Sequence, residues 1–124
     1  MTPSDRDGIA TEVRGTYEVP LYLDGDGVPG SSLMVDGDGV PTQTGTYTAK
    51  FTCVVPTSAT AANPSGTGLY AHGLLGTSDQ VPGGSDEVAA AGNFTFCGTD
   101  LIGMAEEDTG NAVAIISDLS TFHT

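Results

Sequence analysis

The chain has 124 residues, enough for one domain with a modest core and short for two. Three basic residues face sixteen acidic ones, a net charge of −13. That balance argues against nucleic acid, whose binding by counterion release needs Lys and Arg, and against an anionic membrane surface. No apolar run is long enough to span a bilayer, and 18 glycines with 7 prolines assign much of the chain to turns and loops.

Residues 1–11 are polar and read as a disordered tail. No apolar leader follows Met1 in "TPSDRDG". The low Lys content, the Thr-rich composition and the Cys53 and Cys97 pair nonetheless suit a secreted protein. The two cysteines form either one disulfide or two buried free thiols. From 12 to 56 the chain reads as β-rich. "EVRGTYEVPLYL", Glu12–Leu23, carries Pro20, which makes it an edge strand or two short pieces, since proline cannot donate to a ladder.

A near-repeat follows, "LDGDGVPG" from Leu23 and "VDGDGVP" from Val35. Asp-Gly steps favour tight turns. Asp24, Asp26, Asp36 and Asp38 also offer carboxylates to a hard cation, and the motif resembles thrombospondin-type calcium repeats. Those repeats carry further Asp between the motifs. Here the spacer contains "GSSLM", with no carboxylate, and no bidentate Glu follows. Hairpin turns are the expected reading, no metal ligand is assigned, and no cofactor is expected.

"TGTYTAKFTCVVP", Thr44–Pro56, is the cleanest strand: Tyr47, Ala49, Phe51, Cys53 and Val55 fall on one face, and Thr46, Thr48, Lys50 and Thr52 on the other. Residues 57–67 read as a loop. From 68 to 124 the pattern becomes β-α-β-α. "GLYAH" is a short strand. A helix at Asp86–Ala91 is capped by Ser85 and stopped by Gly92-Asn93. "FTFCGT", Phe94–Thr99, is a strand, and the intervening segment is long enough to cross over to a parallel neighbour. "NFT" at Asn93 fits a glycosylation sequon but reads as strand. A final helix carries the stripe Ala112, Ile115, Ile116, Leu119 and Phe122, with Asp108 or Thr109 at its start.

"LYAHGLLG" followed by "FTFCGTDLIGMAEED" resembles the front half of an α/β-hydrolase. More narrowly, it resembles secreted bacterial members of that lipase and esterase superfamily, in which a "YGHGLLG"-like stretch precedes "FC-x-TDW-x-GMS-x-x-D". "GTYEVPLYL…GTYTAKFTCVVP" resembles their amino-terminal β region. The resemblance implies a partial α/β-hydrolase in which 12–124 forms one domain. Its front half is antiparallel β, followed by β-α-β-α with a parallel pair. His72-Gly73 would lie at the carboxyl end of the third hydrolase strand. The loop His72, Gly73, Leu74 and Leu75 would supply an oxyanion-hole N–H, from Leu74 or Leu75. Glycine at 73 and 76 would let the backbone approach a substrate. Asp100 and Gly103 would end the fourth strand and order its loop. Ala105 stands where relatives often carry Ser, and Leu101 where they often carry Trp.

Read from the residues alone, His72 is a structural histidine that hydrogen-bonds a loop. Asp100 fixes a turn, and Glu106, Glu107 and Asp108 form a solvated cluster at a helix start. No Gly-x-Ser-x-Gly elbow is present, and His123 is the only other histidine. The expected reading is therefore a chain truncated before the nucleophile elbow. It would carry the oxyanion half of an ester-hydrolase site, be inactive alone, and leave Phe94–Thr99 as an open sheet edge. A small-molecule ester is the implied substrate of the complete protein. The alternative is a small acidic secreted β-rich binding or structural module, calcium-stabilised through its DGDG turns.

Overall fold

A computed structural model describes residues 1–120; Phe122 and His123 lie outside the described residues. The fold is mixed α/β, a five-stranded and mostly antiparallel sheet with one parallel pair and flanking helices. The strands are β1 (Thr2–Pro3), β2 (Ile9–Leu21), β3 (Gly45–Pro56), β4 (Gly66–Leu69) and β5 (Phe94–Thr99), arranged in the order β1-β2-β3-β5-β4. Only β4 and β5 run parallel. The connection between them holds a 3-10 turn (Ser78–Gln80), a single helical turn α1 (Val81–Gly84) and α2 (Asp86–Gly92). A further 3-10 turn (Glu106–Asp108) leads into α3 (Thr109–Ser117).

The amino-terminal residues are ordered, contrary to the disordered tail expected for 1–11. β1 pairs with β2 at Thr2↔Glu12 and Pro3↔Thr11, and Ile9 is buried in the core. Polarity misled here because the segment is held by ion pairs: Arg6 Nε lies 2.7 Å from Asp86 on α2, and its Nη1 lies 3.0 Å from Glu12. β2 runs unbroken through Pro20 because β1 covers only Thr11 and Glu12, so Pro20 stands where the strand is a free edge.

β2 and β3 form a long hairpin in register from Thr11↔Val55 to Leu21↔Gly45. Between them, residues 22–44 make an excursion containing both Asp-Gly motifs. In each motif the first aspartate pins its own turn. Asp24 Oδ1 accepts the Ser32 N–H at 2.8 Å, and Asp36 Oδ1 accepts those of Asp38 and Val40 at 2.9 and 3.0 Å. These are the local side-chain-to-backbone bonds that make Asp a turn residue.

The helices α1 and α2 cover one face of the sheet. The core there is Ile9 and Val54 from the strands with Val81 and Ala89 from the helices, flanked by Tyr70 and Phe96. Thr52, Val54 and Pro56 are the most deeply buried residues of β3. The helix layer therefore lies on the Lys50–Thr52–Val54 side, not on the more apolar Tyr47–Phe51–Val55 side that alternation alone would bury. The reason is β5: Phe96 pairs with Val54 and points with it toward Val81.

β5 lies between β3 and β4, so it is paired on both sides; the open edge is β4 and not Phe94–Thr99. β4 also begins earlier than "GLYAH" implies. Gly66 and Gly68 pair with Phe94 and Phe96, and a Cβ on either would collide with the ring that lies across it. The helix α2 forms as expected and ends at Asn93, whose φ of 54° is left-handed. Ser85, expected as its cap, instead donates its hydroxyl to Val81 O at 2.8 Å. The Asn93 side chain donates to Pro64 O and accepts from Ser58, tying the loop before β4 to the start of β5.

Cys53 and Cys97 are directly opposed across β3 and β5 and form a disulfide. Bonding residues 44 apart in sequence removes loop entropy from the unfolded chain, an effect of about 3–4 kcal/mol in the chain-entropy account. Reduction, or Cys53→Ser with Cys97→Ser, is expected to lower the urea-unfolding free energy by that amount. A second test concerns Gly98, where a Cβ would stand 2.6 Å from Val81 Cγ2 and 2.7 Å from the Tyr70 carbonyl oxygen. Gly98→Ala overpacks a backbone contact and is expected to cost about 1–3 kcal/mol, read as a lower melting temperature.

Candidate functional site

The ends of the parallel pair bring two loops together. After Leu69 the chain stays attached for one more residue, Tyr70 N–H donating to Cys97 O at 2.8 Å, then turns away from the sheet. His72 is 4% exposed. Its Nε2 accepts the Leu101 N–H at 2.9 Å, which leaves the proton on Nδ1, and Nδ1 donates to Gly73 O at 2.8 Å. The imidazole thus ties the loop after β4 to the loop after β5, the structural role expected of it.

The next four residues form a tight turn closed by Gly76 N–H to Gly73 O at 2.9 Å. Leu75 occupies its third position with φ 57°, where glycine or asparagine is the usual occupant. A branched side chain in the left-handed region costs about 1–2 kcal/mol, and such strain gathers where a loop has a task to perform. The turn is braced from the other loop. Leu75 N–H donates to Met104 O at 2.7 Å, Gly76 forms a parallel bridge with Ala105, and Glu106 N–H donates to Gly76 O at 3.0 Å. Gly73 N–H lies 3.3 Å from Gln80 Oε1.

Of the two amides nominated for an oxyanion, that of Leu75 is therefore occupied. The Leu74 N–H has no partner among the described residues, and Leu74 is 75% exposed. Gly73 faces open space, whereas Gly76 is needed by its own loop, since a Cβ there would meet the Gln80 amide.

The second loop is ordered by two aspartates. Asp100 Oδ1 accepts the Ser78 N–H at 2.6 Å. Asp108 is buried, and its Oδ2 accepts the Gly103 and Ala105 N–H groups at 2.8 and 3.0 Å. Asp108 is thus not part of a solvated acidic cluster, although Glu106 and Glu107 are exposed. Its three-residue spacing from Ala105, just ahead of a helix, is the reach-back spacing of a capping carboxylate, and that signal could have found it.

A cleft of about 520 Å³ lies beside these loops, lined by Arg14, Lys50, Thr52, Ser78, Asp79 and Asp100 among others. His72–Leu75 do not line it. Its wall is electrostatically closed: Arg14 bridges Glu12 and Asp79, and Lys50 lies 3.7 Å from Glu107. With Arg6, all three basic side chains of the protein are paired. Both ring nitrogens of His72 are engaged by main-chain groups. Among the described residues no group of three or more His, Cys, Asp or Glu is placed to hold a metal ion. No described helix is long and apolar enough to cross a membrane. The chain matches no family model, no curated protein and no solved structure.

Glu12 titrates below the usual carboxylate range. Burial pushes its pKa up, but the hydrogen bonds from Arg14 and Arg6 and their charges outweigh that. A depressed folded-state pKa stabilises the fold above the unfolded value and is lost as pH falls through the folded value. Lowering pH also relieves self-repulsion in a chain of −13, so the informative quantity is a difference. The stability gap between the wild type and Glu12→Gln, measured by thermal unfolding, is expected to be widest above pH 5 and to shrink as pH falls below 4.5, the carboxyl's ordinary value.

Proposed function

We propose that this chain carries the oxyanion-loop portion of a secreted α/β-hydrolase-like esterase, and that alone it does not turn over esters. The observation that carries the reading is the parallel pairing of β4 with β5, with His72 linking the loops at their carboxyl ends. The resemblance of "LYAHGLLG" and "FTFCGTDLIGMAEED" to the third and fourth hydrolase strands requires that arrangement; an antiparallel sandwich would have ended it. The unpartnered Leu74 N–H is the group assigned to the developing oxyanion of an acyl-transfer step. A fixed donor of that kind contributes about 3 kcal/mol in an assembled site. The disulfide supports an oxidising, extracellular setting.

The residues of this chain supply no nucleophile. His72 is engaged at both nitrogens by main-chain groups, and the sequence lacks a Gly-x-Ser-x-Gly turn. The complete reaction, ester hydrolysis through a covalent acyl intermediate, needs a nucleophile-bearing strand-turn-helix in addition to what is described here. The calcium-stabilised module is the weaker reading, because the carboxylates of Asp24 and Asp36 that it would use already hold backbone N–H groups.

The expected result with a chromogenic short-chain ester is no hydrolysis above buffer by the purified chain. Turnover abolished by a serine-reactive inhibitor would overturn the reading.

A further inference from the structure

The cleft beside the two loops is separate from the oxyanion loop, and its lining carries a different chemistry. It lies on the helix-bearing side of the sheet, where Arg14 and Thr52 pair across β2 and β3. Its other walls are the turn after β4, through Ser78 and Asp79, and the loop after β5, through Asp100, Ala105 and Glu106. Ligands of α/β sheets bind beyond the carboxyl ends of parallel strands, and about 520 Å³ is a small-molecule volume.

Three of the lining residues are buried: Thr52 at 2%, Ala105 at 5% and Ser78 at 6% exposure. Two of them bear hydroxyls. Neither hydroxyl has a hydrogen-bond partner among the described residues, although Asp100 holds the Ser78 main chain. A hydroxyl withdrawn from water without a partner is destabilising, and native proteins leave few of them. Neither oxygen is sealed from solvent, and the opening that both residues line is the cleft.

The remaining polar groups narrow the ligand. Asp100 Oδ1 accepts the Ser78 N–H, which leaves Oδ2 as an acceptor without a donor. A hydroxyl both donates and accepts, and a carboxylate only accepts, so the complement of this set is a group of ligand hydroxyls. Charge argues against the ionic alternatives. Asp79, Asp100, Glu106 and Glu107 oppose an anion, while Arg14 and Lys50 oppose a small cation and are already engaged by Glu12, Asp79 and Glu107. Most of the lining is polar, which suits neither an acyl chain nor an apolar ring.

We propose that this cleft binds a neutral polyhydroxylated ligand of monosaccharide size through the Thr52 and Ser78 hydroxyls and Asp100 Oδ2. Amide-resolved NMR titration of the full chain with D-glucose, D-galactose and D-mannose tests this, with acetate and putrescine as the anionic and cationic arms. At least one hexose is expected to shift the Thr52, Ser78 and Asp79 amides saturably. Thr52→Val and Ser78→Ala are each expected to weaken that binding about tenfold, the loss of one hydrogen bond. Because the Thr52 hydroxyl has no partner within the protein, Thr52→Val is also expected to leave the melting temperature unchanged or raised. Should either variant fail to fold, the other decides.

No saturable shift with any of the three hexoses overturns the proposal, as do shifts with acetate or putrescine alone. Hexose binding that survives in both variants overturns it too, and so does a folded Thr52→Val with a lowered melting temperature, since the hydroxyl would then serve the fold. None of these outcomes bears on the ester assay, so the two readings fail separately.

Discussion

A main-chain oxygen governs the spacing of this sheet. The Tyr70 carbonyl occupies the space that a β-carbon of residue 98 would need, so glycine at that position is what allows the chain leaving β4 to lie flush against β5. From that contact follows the placement of Val81 in the core and the common exit of the two loops that His72 joins. Gly66 and Gly68 serve the same end. They give up side chains so that the phenyl rings of β5 can spread over β4, which compensates an edge strand that has little of its own to bury.

Around that packed seam the protein is short of cations, and it spends all three on cross-links between segments. Arg6 joins the amino-terminal segment to α2 and β2, Arg14 joins β2 to the 3-10 turn at Ser78–Gln80, and Lys50 joins β3 to the turn before α3. Exposed pairs of this kind contribute about 0–1 kcal/mol each. Their value lies in direction: in a molecule that otherwise repels itself, they decide which acidic elements are held against the sheet.

Much of this was legible in the residues. The alternation of Thr44–Pro56 marks β3 to within a residue, because period two over that length has no helical reading. The Gly92-Asn93 stop marks the end of α2, because Asn tolerates the left-handed conformation found there. The parallel relation of the strands around "LYAHGLLG" and "FTFCGT" was also legible, through resemblance and through a connection long enough to cross over. Three things were not. The order of residues 1–11 depends on partners far away in sequence, above all Asp86. The side of β3 that receives the helices depends on Phe96, so a single strand's alternation could not reveal it. Within the loop, the choice between Leu74 and Leu75 rests on a carbonyl at Met104 that consumes one amide and leaves the other. Of the expected helical stripe α3 holds Ala112, Ile115 and Ile116, while Leu119 lies past its end at Ser117; Ile116 and Leu119 both stand in solvent, since periodicity reports an apolar side without naming what meets it.

The position of the disulfide has a dynamic consequence. Cys53 and Cys97 sit at the junction where the antiparallel hairpin meets the inserted strand. That junction is the one place where the sheet could otherwise part into two separately breathing halves. With a covalent tie there, partial opening is confined to the flanks: β1 peeling from β2 on one side, β4 from β5 on the other. Amide protons near the middle of β3 then exchange only through global unfolding, while those of the outer strands are released by small local excursions.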